Sequence, residues 1–125
     1  NTLIQKTFFF FLTSSFSDVA HYFEEFVGHA VHGKSVTFIT TASVPEEFTG
    51  YINDDKNAFE QLGISIEELD VTGKTESEIK KMFAKNDFIY VSGGNTFYLL
   101  QELKKSGADQ LLTAEIEKGK IYIGV

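Results

Sequence analysis

The sequence predicts a three-layer α/β fold with a mostly parallel sheet, and three observations predict it. Short apolar runs of strand length alternate with segments of helical period along the whole chain. Several of the runs are nearly continuous in hydrophobicity, as expected of strands buried on both faces. No internal repeat, low-complexity tract or Pro/Gly-rich linker interrupts the order, and the single proline, Pro45, falls in a loop. Alternating strands and helices of this length imply parallel strands with helices on both faces, flavodoxin-like in the broad sense.

Residues 8–12 form the first strand. Ser14, Ser15 and Ser17 then offer N-caps for a helix. Its Val19, Tyr22, Phe23, Phe26, Val27, Ala30 and Val31 repeat the i, i+3, i+4, i+7 spacing of one buried face, and Gly33 ends it. Residues 35–41 are β-branched and apolar, a second strand. A loop over 42–50 leads to a helix through Ile52, Phe59 and Leu62 that stops at Gly63. Residues 64–71 form a third strand. Thr75 with Glu78 three residues later makes a capping box for the helix carrying Ile79, Met82 and Phe83. Residues 88–91 are a fourth, buried strand. The segment 95–105 is helical with Leu99, Leu100 and Leu103 inward, 111–118 adds another helical piece, and 121–125 is a fifth strand.

With 125 residues, 42% of them hydrophobic and 13 of them Phe, the chain can bury one ring-rich core and not two. No apolar run approaches the ~20 residues of a membrane-spanning helix. Lys6 ahead of the first apolar patch gives a superficial likeness to a secretion signal. The patch is shorter than the ~7–15 residues of such a core, and no small-residue cleavage site follows, so a cytoplasmic protein is expected. The formal net charge of −7 argues against nucleic-acid and anionic-membrane partners. The absence of Cys excludes a disulfide framework, a thiol nucleophile and a Cys-based zinc site.

In parallel α/β sheets ligands bind outside the carboxyl ends of the strands. Three of those ends are rich in hydroxyl or Gly residues here: Thr13-Ser14-Ser15, Thr40-Thr41-Ala42-Ser43, and Ser92-Gly93-Gly94-Asn95-Thr96. The last is a strand-to-helix turn. Its two glycines let a ligand approach the main chain. The helix N-terminus behind them leaves N–H groups and a positive dipole end that can hold an anion or an oxyanion. On local physics alone, a tight turn capped by Asn95 or Thr96 accounts for the same residues equally well.

The run Val91-Ser92-Gly93-Gly94-Asn95-Thr96-Phe97-Tyr98-Leu99-Leu100 resembles the GGNT-F-x-L-L signature of the peptidase E family, which comprises aspartyl dipeptidases and cyanophycinase-like enzymes. Phe11-Leu12-Thr13-Ser14-Ser15 is similar to that family's first strand and loop, and the order of elements agrees along nearly the whole chain. The resemblance implies a serine peptidase on a fold related to class I glutamine amidotransferases, with no cofactor and a small peptide as substrate. Its nucleophile would sit in a Ser-Ala-Gly elbow directly after a strand, with a His and an acid further along. By this correspondence Gly93 and Gly94 supply oxyanion-hole N–H groups, and Asn95, Thr96, Thr13, Ser14 and Ser15 line the substrate site. Selectivity for acidic N-terminal residues follows from the family alone. The strand 121–125 is the one that should feed the elbow. Residues 1–125 are therefore expected to be the N-terminal part of a single α/β peptidase domain, ending before the nucleophile and inactive alone.

The remaining polar residues offer no substitute triad or metal site. His21, His29 and His32 lie in or just after the first helix without an accompanying H-E-x-x-H carboxylate, and read as ordinary helix histidines. The pairs Glu24-Glu25, Glu46-Glu47, Asp54-Asp55 and Glu67-Glu68 are adjacent in sequence, so neither helix nor strand puts both members on one face, and they read as solvated charge. Lys80-Lys81 and Lys104-Lys105 are expected toward helix C-termini, where cations suit the dipole. Two binding-module readings stand beside the peptidase. One is a flavin phosphate cradled by Thr13-Ser14-Ser15-Phe16-Ser17. The other is a receiver-type phosphoacceptor at Asp70, which lacks the acidic pair needed for Mg²⁺ at the first strand's end. Finally, a sheet stopping at 121–125 would leave an unpaired strand edge, so self-association as a strand-exchanged or edge-paired homodimer is expected.

Overall fold

Five parallel strands pair in the order β1-β5-β4-β2-β3 in the computed structural model, which describes residues 10–12, 16–28, 30–47 and 49–124. The elements are β1 (Phe10–Leu12), α1 (Phe16–Val27), β2 (Ser35–Ile39), a 3₁₀ turn (Thr41–Ser43), α2 (Gly50–Gln61), β3 (Ser65–Leu69), α3 (Glu76–Lys85), β4 (Phe88–Val91), α4 (Thr96–Ser106), α5 (Ala108–Glu117) and β5 (Ile121–Gly124). The strand–helix alternation closes into the three-layer α/β architecture that the sequence predicts.

Side chains alternate across the sheet with the period of two that strands impose. Val36, Phe38, Phe88, Tyr90 and Ile123 face α1 and α2, in a core completed by Phe16, Phe23 and Phe59. Ile39, Ile89 and Val91 face α3, α4 and α5, where Leu69, Val71, Ile79, Phe83 and Leu103 meet them. The predicted capping box is present, with Glu78 N–H donating to Thr75 Oγ1 at 3.2 Å and Thr75 N–H donating to Glu78 Oε1 at 3.1 Å.

Several expectations are corrected. β5 is not an edge: it lies between β1 and β4, with Phe11 and Tyr90 both in register with Ile123. The edges of the described sheet are β1 and β3. Helix α1 ends at Val27, because Gly28 takes φ +84 and turns the chain, so Ala30 and Val31 belong to the following loop. Val31 is nevertheless fully buried, and its N–H donates to the Glu24 carboxylate at 3.1 Å. Tyr22, Phe26 and Leu100, expected inside, are 56%, 40% and 51% exposed. Lys80 and Lys81 sit mid-helix in α3, whose last turn carries Lys85 instead. The largest correction concerns Asp55, which is 2% exposed and not solvated at all.

Candidate active site

β2 runs on to β3 on one side of the sheet while β4 runs on to β5 on the other. The crevice of a parallel sheet opens at such a reversal, here between the carboxyl ends of β2 and β4. The two loops leaving those strands are bonded together. Ser92 N–H donates to Ile39 O at 3.0 Å, and Asn95 N–H donates to Ala42 O at 2.8 Å. Gly94 makes this approach feasible. Its φ is +144, and a Cβ there would stand 2.3 Å from the Ala42 carbonyl oxygen. No side chain fits at that position.

Asn95 then caps α4, accepting the Tyr98 N–H on Oδ1 at 2.9 Å. Asn95 and Thr96 both remain exposed beside the turn. Neither the Gly93 nor the Gly94 N–H has a hydrogen-bond acceptor among the described residues. These two donors and the open first turn of α4 concentrate positive potential on one spot. On its other side the turn is gripped by Tyr51 from the first helical turn of α2, whose hydroxyl donates to the Gly93 carbonyl at 3.1 Å. Ser92, at the root of the turn, is 1% exposed, and its hydroxyl has no hydrogen-bond partner among the described residues. An orphan of this kind costs on the order of 1–3 kcal/mol, and such exceptions mark places kept for reasons other than stability.

Beneath the turn, Asp55 accepts from Tyr90 Oη at 2.5 Å and from the Ser17 N–H at 3.1 Å. One carboxylate on α2 therefore ties β4 to the start of α1. Burial, and after it the hydrogen bond to Asp55, push the Tyr90 pKa far above its ordinary value, so the phenol stays a donor. At the neighbouring strand ends, Asp70 accepts from Thr41 Oγ1 at 3.0 Å and from the Thr72 N–H at 3.1 Å, while Thr41 Oγ1 accepts the Val71 N–H. The carboxylate that a phosphoacceptor would need is thus engaged in joining two loops. Among the described residues no group of His, Cys, Asp and Glu is placed to hold a metal ion.

Val91 and Gly124 are register partners, so the chain leaving β5 emerges beside the turn leaving β4. The profile of peptidase family S51 matches residues 10–125, from β1 through that exit. The chain belongs to peptidase family S51. An uncharacterized peptidase of Listeria monocytogenes is 56% identical over 114 residues, covering 91% of this chain and 55% of the relative. An uncharacterized peptidase of Pasteurella multocida is 52% identical over 91% of this chain and 55% of its own length. Peptidase E of Shewanella oneidensis is 38% identical over 70% of this chain and 35% of its own. A crystal structure of a Listeria monocytogenes protein provisionally named peptidase E superposes with a TM-score of 0.87 at 56% identity, covering 92% of this chain and 56% of that one. The S51 chain thus spans about half the length of these two uncharacterized peptidases. The resemblance to peptidase E read from the GGNT segment is borne out.

Of the residues singled out from sequence, the fold brings Gly93, Gly94, Asn95 and Thr96 to the switch-point crevice. Thr13, Ser14 and Ser15 lie outside the described residues, as does His29. His21 and His32 are exposed and away from the turn. Sequence reasoning missed Tyr51 and Asp55. A signal for Asp55 was present, since it falls at i+3 from Ile52 and i−4 from Phe59, on the apolar stripe of α2.

Proposed function

We propose that this S51 chain carries the oxyanion-stabilising half of a serine-type peptidase site, and that the nucleophile comes from the segment following β5 in the intact protein. The observation that carries the reading is the Gly93–Gly94 turn. It places two N–H donors, unengaged among the described residues, at a helix N-terminus beside the point where the chain leaves the adjacent strand. Acyl transfer needs donors fixed in advance where the carbonyl oxygen turns negative, and a nucleophile that approaches from next to them. Asn95, Thr96, Thr13, Ser14 and Ser15 then line the peptide. No cofactor takes part. Gly93 and Gly94 are required as backbone, whereas the triad's Ser, His and acid are supplied from outside residues 1–125, so this chain alone has no peptidase activity.

The test compares residues 1–125 with the full-length gene product. Full-length protein should react with a serine-directed fluorophosphonate and cleave dipeptides, faster with Asp at the first position than with Leu, while the 125-residue chain does neither. A full-length protein that resists the reagent and is stopped instead by a metal chelator would sink the serine mechanism.

A further inference from the structure

Gly93 and Gly94 share one peptide group, and in a trans peptide the C=O and N–H point in opposite directions. Whatever fixes the Gly93 carbonyl therefore fixes the aim of the Gly94 N–H. The Gly93 carbonyl accepts a side-chain hydrogen bond from Tyr51, at 3.1 Å. We propose that Tyr51 is a positioning residue for the oxyanion hole: by holding the Gly93 carbonyl it aims the Gly94 N–H at the reacting oxygen and polarises it. The inference rests on the peptidase reading above and names which of the two glycine donors is fixed, and by what.

An outside grip is needed because of the sequence itself. A peptide flanked by two glycines has no Cβ on either side to oppose rotation of its plane. A flip would replace the N–H by a carbonyl oxygen and turn a stabilising dipole into a repelling one. The next peptide is already held, since Asn95 N–H donates to Ala42 O at 2.8 Å, and the strand before the turn is held by Ser92 N–H on Ile39 O. Two peptide planes are left between these anchors, Ser92–Gly93 and Gly93–Gly94, and Tyr51 secures the second. A hydrogen bond accepted by an amide carbonyl also strengthens its own N–H as a donor.

Tyr51 is itself well supported. Its ring packs at the margin of the aromatic core. One helical turn later Asp55 binds Tyr90 Oη and the Ser17 N–H, which pins α2 against β4 and α1. Burial, then the carboxylates of Glu46 and Asp55, raise the Tyr51 pKa, so the hydroxyl remains a donor through the neutral range.

The test is Tyr51→Phe in the full-length protein, which keeps the ring and deletes the hydroxyl. The expected result is a fall in kcat of about tenfold or more, short of the ~10²–10³-fold cost of deleting a donor outright. KM should stay within about twofold, because the lost interaction belongs to the transition state. Isotope-labelled wild type and variant give a second readout that needs no activity: the Gly93 carbonyl ¹³C and Gly94 amide ¹⁵N resonances should both move. A kcat unchanged in an active protein overturns the inference. So does a lower kcat that follows a reduced folded fraction while both resonances stay in place. A wild type that cleaves no peptide ends the peptidase reading instead, and the two resonances still decide whether Tyr51 sets this peptide.

Discussion

The two faces of the sheet are built from different materials, and each carries a polar cluster of its own. The face under α1 and α2 is aromatic. Phe16 stacks on Phe59 with ring centroids 3.9 Å apart, and Phe38, Phe59 and Tyr90 meet edge-on or tilted around them. The face under α3, α4 and α5 is chiefly aliphatic, with Phe83 its one fully buried ring among the described residues. On the aromatic side Asp55 meets Tyr90 and Tyr51 meets Gly93 toward the carboxyl ends of the strands. On the aliphatic side one polar cluster lies toward the other edge. There Asn86, just before β4, donates to Thr37 Oγ1 at 2.9 Å, to Glu67 Oε1 at 3.0 Å and to Met82 O at 3.2 Å. The difference teaches that α1 and α2 brace the turn from one side, whereas α4 supplies the helix N-terminus behind it and α3 and α5 mainly the floor.

The comparison breaks first at Phe59. Truncating it to Ala removes the stacked partner of Phe16 and an edge contact to Tyr90, and should cost about 3–5 kcal/mol in urea unfolding. A cost near that of an aliphatic truncation would show that the rings fill space and do nothing more specific. Asp55→Ala should come next. It removes the carboxylate that accepts from the buried Tyr90 hydroxyl and from the Ser17 N–H, at roughly 1–3 kcal/mol, with a lower melting temperature as the readout. Adding Tyr90→Phe to Asp55→Ala should restore part of that loss, because the stranded hydroxyl goes with it. On the aliphatic face Ile79→Val should cost only about 0.5–1.5 kcal/mol and leave activity of the full-length protein unchanged. An Ile79→Val variant that loses activity would mean that the floor, too, positions the turn.

What could be read from the sequence follows the range of the physics involved. Residues 88–91 match β4 residue for residue, because four apolar side chains between Asp87 and a Ser-Gly-Gly turn admit little else. The Thr75–Glu78 box is a contact across three residues and needs no tertiary information. The SGGNT turn was legible for the same reason. The place of β5 inside the sheet was not, since strand order is decided by crossovers tens of residues long. Asp55 was misread because adjacency to Asp54 was weighed and its place on the Ile52–Phe59 stripe was not. The apolar period that ran α1 on to Val31 was also misleading: Val31 is buried through the loop, after Gly28 has already ended the helix. Tyr51 had no local signature at all, as its partner is a backbone carbonyl 42 residues away.

The smallest predicted effect belongs to Glu67, at the end of the sheet remote from the site. The Asn86 amide, then Lys85, whose Nζ stands 3.0 Å from Oε2, hold its pKa below the ordinary carboxylate value, against a weaker opposing effect of desolvation. A carboxyl whose pKa is lower folded than unfolded binds fewer protons in the native state. Its contribution is therefore complete above the unfolded value and fades as pH falls through the folded one. The side chain is 38% exposed, so solvent screens it and the contribution is small. Glu67→Gln keeps an acceptor for Asn86 and removes the charge. Wild type should melt slightly higher than this variant at neutral pH, and the gap should narrow as pH falls below about 4.3, the unfolded carboxyl's value, and on through the lower folded one. Glu78, whose pKa the Thr75 cap also lowers, titrates in both proteins and cancels from the difference. Added salt should narrow the neutral-pH gap as well, because an exposed ion pair is screened within ~10 Å at ~0.1 M. A gap that persists unchanged in acid would place the value of Glu67 in its shape and hydrogen bonding, and the aliphatic face would then owe nothing to charge.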